Sequence, residues 1–380
     1  MTESAEILFK LMRASLGCGC ENLNLGSDSE SDPEMELAMR NVWRKVIDLS
    51  FEQGVAAIAV DGLGFAHDND NKERLDFSLD SEGLEDLKYE WFGSVFANEN
   101  DYSEHKQVIK ELASRFSSIG IKTMVMKGYA ASVIYPMPSH RSVGDIDLYL
   151  FGKGEEADRL MKEHGVEVRQ NEDKHSTFTY KNISVENHAT FVNVVEHPSL
   201  RELEDCLEQE AHEARFDEAV EVYLPTPTAD ALFLSHHLAG HFVYGGASLK
   251  QVSDWAMLAM KYGKEIDWNR VMEVAERAGY GRLLECLNGI VIAYLGVPES
   301  TFPKWDRDMD LENRVLNEIL CPEFDKRGES WVGKGIRYFK SGWKYRLVYK
   351  EPMVQTFFRR SWALLRERYL PASRSVWQGR

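Results

Sequence analysis

Lys127-Gly128-Tyr129-Ala130-Ala131-Ser132-Val133-Ile134-Tyr135, a proline-containing bend, and then Gly144-Asp145-Ile146-Asp147-Leu148 form the stretch that decides how this chain is read. From Val143 to Leu150 two acids alternate with apolar residues over a short run, which is the pattern of a strand. Successive strand side chains point to opposite faces, so Asp145 and Asp147 share one face. The strand rise puts their Cα atoms about 6 to 7 Å apart, close enough to grip one divalent cation or two adjacent ones. Mg²⁺, a hard cation that takes oxygen ligands, suits such a pair.

A third carboxylate lies downstream. Ser176 to Tyr180 is β-prone, Lys181-Asn182 suits a two-residue turn, and Ile183 to His188 alternates Ile183 and Val185 against Ser184, Glu186 and His188. With Ile183 and Val185 toward the core, Glu186 and His188 face the other way. Laid beside the Asp145/Asp147 strand, this hairpin brings Glu186 to the first two acids, and two-metal phosphoryl chemistry commonly uses more than two carboxylates. Upstream, a helix stopping at Gly120 leads into Ile121 to Met126, the strand that delivers Lys127. A lone Asp-x-Asp is usually a solvated strand end, and a lone strand-end lysine a surface charge. The ordered set of Lys-Gly, Asp-x-Asp and Glu-x-His is what points to a metal site.

That set resembles the uncharacterised nucleotidyltransferase family of the DNA polymerase beta-like nucleotidyltransferase superfamily, over residues 105 to 300. The superfamily usually carries Gly-Ser or Gly-Gly before its first Asp-x-Asp; this chain has Lys127-Gly128, the pair that the resembled subfamily shows. The resemblance implies Asp145 and Asp147 as metal ligands, Glu186 as the third acid, Gly128 as a close-approach glycine and Lys127 facing a phosphate. Arg141, Ser142 and His188 complete the nucleotide-binding candidates, Arg141 and Ser142 being equally divided between loop solvation and substrate contact. Two Mg²⁺ or Mn²⁺ ions, a nucleoside triphosphate such as ATP, and a small-molecule or protein acceptor are implied with them. The expected reaction is transfer of a nucleoside monophosphate to a hydroxyl with release of pyrophosphate. A non-catalytic nucleotide-binding or regulatory module on the same fold is the first alternative, and a metal phosphohydrolase using His237, His241 and Asp254 is the second.

The expected fold class is α+β: a small mixed β-sheet core flanked by N-terminal helices and a C-terminal helical bundle. Ala5 to Leu16, Met35 to Phe51 after Asp32-Pro33, Glu85 to Phe96 and Tyr102 to Ile119 read as helices. Asp68 to Asn71 invites a calcium-loop reading that fails, because Glu73 stands where the sixth position needs glycine. Glu155 to His164 and Glu202 to Ala214 read as helices around a short strand at Val166 to Val168. Asp230 to His241, Ser248 to Tyr262, Trp268 to Ala278 and Arg282 to Leu295 follow, with Asp267 as an N-cap. The corresponding division is 1–104, 105–225, 226–333 and 334–380.

His237 and His241 stand four apart on one helical face, followed by Asp254. No Glu lies between them as in His-Glu-x-x-His, and a metal phosphohydrolase needs further ligands that this segment does not supply. They are expected to line the nucleotidyl site or to fix the bundle.

At 380 residues, 43% hydrophobic and 28% charged, the composition is that of an ordinary globular protein. The acidic N-terminus shows no basic-then-apolar leader, and the apolar runs Val55 to Val60 and Ile290 to Leu295 fall far short of the roughly 20 residues of a membrane helix, so a cytoplasmic location is expected. Five irregularly spaced cysteines (Cys18, Cys20, Cys206, Cys286 and Cys321) form no disulfide framework or zinc pattern. A net charge of −17 argues against a nucleic-acid substrate. Residues 334–380 are the exception, with twelve Lys or Arg against two Asp or Glu and interleaved aromatics. Such a segment can rest on an anionic membrane, track a nucleic acid, or dock on the protein's own acidic body, and docking is the favoured reading.

Overall fold

A computed structural model describes residues 1–17, 33–63, 84–170, 175–244, 246–321 and 342–356. The rejected calcium loop, the Cys18/Cys20 pair and residues 357–380 lie outside the described residues. The fold is α+β. Its sheet has seven strands: β1 (Met124–Met126), β2 (Ile146–Tyr149), β3 (Val168–Gln170), β4 (His175–Tyr180), β5 (Ile183–His188), β6 (Arg215–Asp217) and β7 (Val222–Leu224). Their order is β3-β4-β5-β2-β1-β7-β6, with β2–β5 and β1–β7 parallel and the other pairs antiparallel.

Alternation along the strands divides the apolar residues between two cores, one on each face. Val125, Ile146, Leu148, Ile183, Val185 and Val222 face one way, toward α4 (Glu85–Ser117) and α6 (Gly154–Glu163). Met124, Met126 and Tyr149 face the other, into a larger core shared with α1 (Glu3–Ser15), α2 (Pro33–Glu52), α3 (Ala56–Asp61) and α8 (Pro227–Tyr244) through α11 (Gly281–Leu295). Helices α9 (Leu249–Tyr262) and α10 (Trp268–Ala278) complete that bundle. Asp147 belongs to the second face, and this is what turns the acids toward the helices rather than toward open solvent.

The β4–β5 hairpin forms as expected. Lys181 and Asn182 both take positive φ (49° and 66°), the geometry of a turn whose twist matches its flanking strands. Asp267 caps α10 by accepting from the Arg270 backbone N–H at 3.1 Å. Two readings are corrected. The helices expected at Glu85 to Phe96 and Tyr102 to Ile119 are one 33-residue helix, since the polar link Ala97 to Asp101 contains neither Gly nor Pro and weak helix formers alone do not break a helix held by packing at both ends. The strand expected at Val166 to Val168 instead begins at Val168, where β4 supplies a hydrogen-bonding partner.

Three short elements had no periodic signal to reveal them. These are the 3₁₀ turn Pro198–Leu200 and the strands β6 and β7, of which β7 extends the sheet by pairing with β1, whereas α5 (Gly128–Ser132) is the short helical run expected between Gly128 and Tyr135. After α7 (Arg201–Ala211) and α12 (Met309–Leu320), helix α13 (Gly342–Val348) of the basic segment docks on the body. Tyr345, Leu347 and Val348 are buried, Lys344 pairs with Glu318 at 2.7 Å, and Arg314 lies over the Trp343 ring at 3.8 Å. Among the described residues no helix is long and apolar enough to cross a membrane.

His140 joins three elements. From a one-turn 3₁₀ helix (Pro138–His140) it meets Asp61 of α3 at 2.8 Å and Glu99 of α4 at 3.2 Å. Burial alone would lower its pKa, but the hydrogen bonds and charges of Asp61 and Glu99 outweigh burial and raise it. A folded-state pKa above the unfolded value of about 6.5 contributes stability that is complete below that value and disappears as pH rises through the folded pKa. His140→Gln is therefore expected to lower the urea midpoint at pH 5.5 clearly more than at pH 8.5. An equal loss at both pH values would count against it.

Candidate active site

The site is built where β1 ends and β2 begins. Lys127 has φ 48° and ψ −142°, a conformation that costs a residue with a side chain on the order of 1–3 kcal/mol, and Gly128 follows with φ 26°. A Cβ on Gly128 would sit 3.5 Å from the Asp145 carbonyl oxygen, so the turn runs close along the acid loop. The strained turn aims Lys127 back across the sheet, where its Nζ lies 2.7 Å from Asp147 Oδ1. His188 Nε2 donates to the same oxygen at 2.9 Å. Asp147 is 2% exposed, and burial pushes its carboxyl up; the Lys127 ammonium and the His188 hydrogen bond outweigh that and hold it well below the usual carboxylate range.

Glu186 stands directly beside Asp147, its register partner across the parallel β2–β5 pair. Its own pKa is lowered, first by the His188 hydrogen bond, against the opposing effects of burial and the Asp147 charge. Asp145 sits just before β2 with its side chain exposed to a cleft of about 400 Å³. The cleft is also lined by Lys127, Gly128 and Asp147 on the sheet side, and by His237, His241, Lys250 and Asp254 on the helical side.

The structure thus brings together Lys127, Gly128, Asp145 and Asp147 at the cleft, with Glu186 beside Asp147. His188 lies behind Asp147, 1% exposed, and touches the acids. Ser142 donates its hydroxyl to the Gly54 carbonyl at 3.1 Å. Arg141 forks onto Asp254, Nε to Oδ1 at 3.0 Å and Nη2 to Oδ2 at 2.6 Å, with Tyr135 donating to Oδ1 at 2.7 Å. The remaining guanidinium nitrogen donates to the Ser142 carbonyl at 3.0 Å and the Gly128 carbonyl at 3.4 Å. Asp254 therefore fixes the bundle to the acid loop through Arg141. Both Asp254 oxygens are thus engaged by Arg141 and Tyr135, while the rings of His237 and His241 lie 4.5 Å apart on the helical side of the cleft.

Several neighbours carried no signal in the sequence. His105 of α4 places Nε2 2.6 Å from the Gly144 carbonyl, immediately before Asp145. The loop Phe51 to Gly54, contributed by the N-terminal helices, forms a cleft wall, as does Lys250. His175 approaches Glu186 at 3.7 Å from β4.

Two sets of candidate metal-donor side chains lie here. Asp145, Asp147 and Glu186 offer oxygens alone, which suits Mg²⁺ or Mn²⁺; both contacts on Asp147 fall on Oδ1, and Oδ2 makes no hydrogen bond among the described residues. His175, Glu186 and His188 hold ligand atoms within 4.8 Å of one another, a mixed nitrogen and oxygen set. In that set, however, His188 Nε2 is already donating to Asp147, and its buried Nδ1 has no partner to fix the opposite tautomer. The oxygen set has the donor chemistry of a hard divalent cation, but among the described residues the His175, Glu186 and His188 set is the one whose ligand atoms lie within 4.8 Å of one another.

The model of the uncharacterised nucleotidyltransferase family matches residues 40–296, and the chain belongs to that family of transferase enzymes. The match begins within α2, so it takes in the Phe51 to Gly54 wall, and it ends at Gly296 beyond α11. Among solved structures, an antigenic nucleotidyltransferase-like protein from Paracoccidioides brasiliensis is 14% identical, with the likeness covering 52% of this chain and 93% of that one at a TM-score of 0.32. No curated protein matches.

Removing one partner of a buried ion pair costs about 3–5 kcal/mol, because the other charge is left uncompensated. Arg141→Met is expected to lose that much in urea unfolding, and Arg141→Met/Asp254→Leu to lose less than Arg141→Met alone. A double variant as unstable as the sum of the singles would show that the two residues act independently.

Proposed function

We propose that the chain transfers a nucleoside monophosphate from a nucleoside triphosphate to a hydroxyl of a small-molecule or protein acceptor, releasing pyrophosphate. Asp145, Asp147 and Glu186 would hold Mg²⁺ or Mn²⁺. The observation that carries this reading is the pairing of Asp147 with Glu186 on adjacent parallel strands, with Asp145 at the mouth of the same cleft as the strained Lys127-Gly128 turn. Divalent cations bound there would neutralise the triphosphate and lower the pKa of the acceptor hydroxyl.

The chain's own residues supply position and charge. Lys127 neutralises Asp147 in the free protein, and its ammonium would be free to meet a phosphate if a cation held that carboxylate. His188 orients Asp147 by holding Oδ1, and Glu186 can accept the acceptor's proton. Arg141, through the Gly128 carbonyl, keeps the turn against the acid loop. ATP is one member of the substrate class, and the reaction is placed in the cytoplasm.

The test is pyrophosphate release across the four NTPs with Mg²⁺ or Mn²⁺ and candidate acceptors. Asp145→Asn and Asp147→Asn are each expected to lower turnover by at least about a thousandfold. The two should differ in stability. Asp145 is exposed and its variant should melt with the wild type, whereas Asp147→Asn leaves the Lys127 ammonium without its counter-charge and should melt lower. Undiminished turnover in either variant would overturn the proposal. Metal-dependent NTP binding with no pyrophosphate from any acceptor would favour the non-catalytic module instead.

Glu186→Gln is expected to lower the maximal rate more than it weakens nucleotide binding, since it removes a metal ligand or proton acceptor used in the transition state. Single-turnover rates set beside nucleotide Kd values check this. Weakened binding at an unchanged maximal rate would make Glu186 a ground-state contact only.

A further inference from the structure

Of the three strongly basic residues lining the cleft, two are already engaged. Lys127 is paired with Asp147 at 2.7 Å, and Arg141 is forked onto Asp254. The third is Lys250, the second residue of α9, whose ammonium makes no ion pair among the described residues. Its backbone N–H donates to the Gln53 carbonyl at 3.2 Å, and its stem runs beside Gly54, where a Cβ would stand 3.6 Å from Lys250 Cβ and Cδ. The flexible side chain is thus pinned at its base, with the charged end left to the cleft.

We propose that Lys250 binds the terminal phosphates of the nucleoside triphosphate, the part that leaves as pyrophosphate. This rests on the nucleotidyltransferase reading above. The α-phosphate must lie against the acids of β2 for the chemistry to occur, and Lys250 reaches the same cleft from a different element, on the helical side. The amides that open α9 are not free to serve. Ser248 N–H is held by the Gln251 side chain and Leu249 N–H by Gln53 Oε1 at 2.8 Å, while the Gln251 and Val252 N–H groups donate to the Ser248 carbonyl. An anion at this end of the helix therefore meets the lysine side chain rather than a ring of backbone donors.

Burial, reinforced by Arg141 and Lys127 and opposed by Asp254 and Asp145, pulls the Lys250 pKa down to about 8. An arriving polyanion reverses that balance and makes full protonation favourable. Lys250 would then be a substrate-binding cation that is uncompensated in the free protein, which is the state in which a charge contributes most on binding.

The experiment is calorimetric titration of wild type, Lys250→Met and Lys250→Arg with an NTP, the matching NMP and inorganic pyrophosphate, in Mg²⁺. Lys250→Met is expected to weaken NTP and pyrophosphate binding by about ten- to a hundredfold, with NMP affinity within about twofold. Lys250→Arg should recover part of the loss, since a guanidinium also binds phosphate. The Met variant should melt no lower than wild type, which separates lost contact from lost fold. NTP and NMP weakened alike, or NTP unchanged, would overturn the assignment while leaving the nucleotidyltransferase reading standing. A wild type that binds no NTP would overturn that reading, and this assignment with it.

Discussion

The fork of Arg141 on Asp254 ties the acid loop to the helical bundle. A buried guanidinium and a buried carboxylate are each costly alone, so the pair persists only while α9 and the segment entering β2 stay in register. The same guanidinium reaches the carbonyls of Gly128 and Ser142, so one buried cation sets the distance between the Lys-Gly turn and the first acid. Tyr135, at the end of the run opened by α5, donates to the same carboxylate, and Ser142 closes onto Gly54 from the N-terminal helices. Sheet, bundle and N-terminal helices thus meet around one ion pair, and the cleft is the space left between them.

Asp147 presents the complementary constraint. A carboxylate almost wholly removed from water stays ionised because Lys127 and His188 both face Oδ1, and Lys127 holds its place through a backbone conformation that side chains rarely adopt. The strain and the depressed pKa lie on adjacent strands and point at the same oxygen. An anionic ligand set without cations is unstable in a low-dielectric cleft. In the free protein Lys127 supplies the counter-charge.

The strand bearing Asp147, with Asp145 just before it, the Lys181-Asn182 turn and the alternation of Ile183 and Val185 against Glu186 and His188 were legible in the chain because each is local. Period-two patterning and turn chemistry act over a few residues and need no knowledge of the rest of the fold. The same holds for the long bundle helices and the Asp267 cap. The expected break within α4 also has a local cause: between Phe96 and Tyr102, Asn98, Asn100 and Asp101 are poor helix formers, yet packing at both ends carries α4 through them.

The partners of each charge were not legible, because pairing depends on chain segments far apart in sequence. Arg141 and Asp254 are 113 residues apart, and Ser142 and Gly54 are 88 apart. Nothing in the local pattern distinguishes a buried, engaged arginine from one that contacts substrate, or a strained Lys127 from a surface lysine. The amino-acid sequence by itself determined the Asp147 strand, the β4–β5 hairpin and the common face of Glu186 and His188, since strand geometry and apolar alternation dictate them. Only the tertiary structure decided which cations Asp147 and Asp254 already hold and that Lys250 makes no ion pair among the described residues, because the energy of a charge is set by what surrounds it in space.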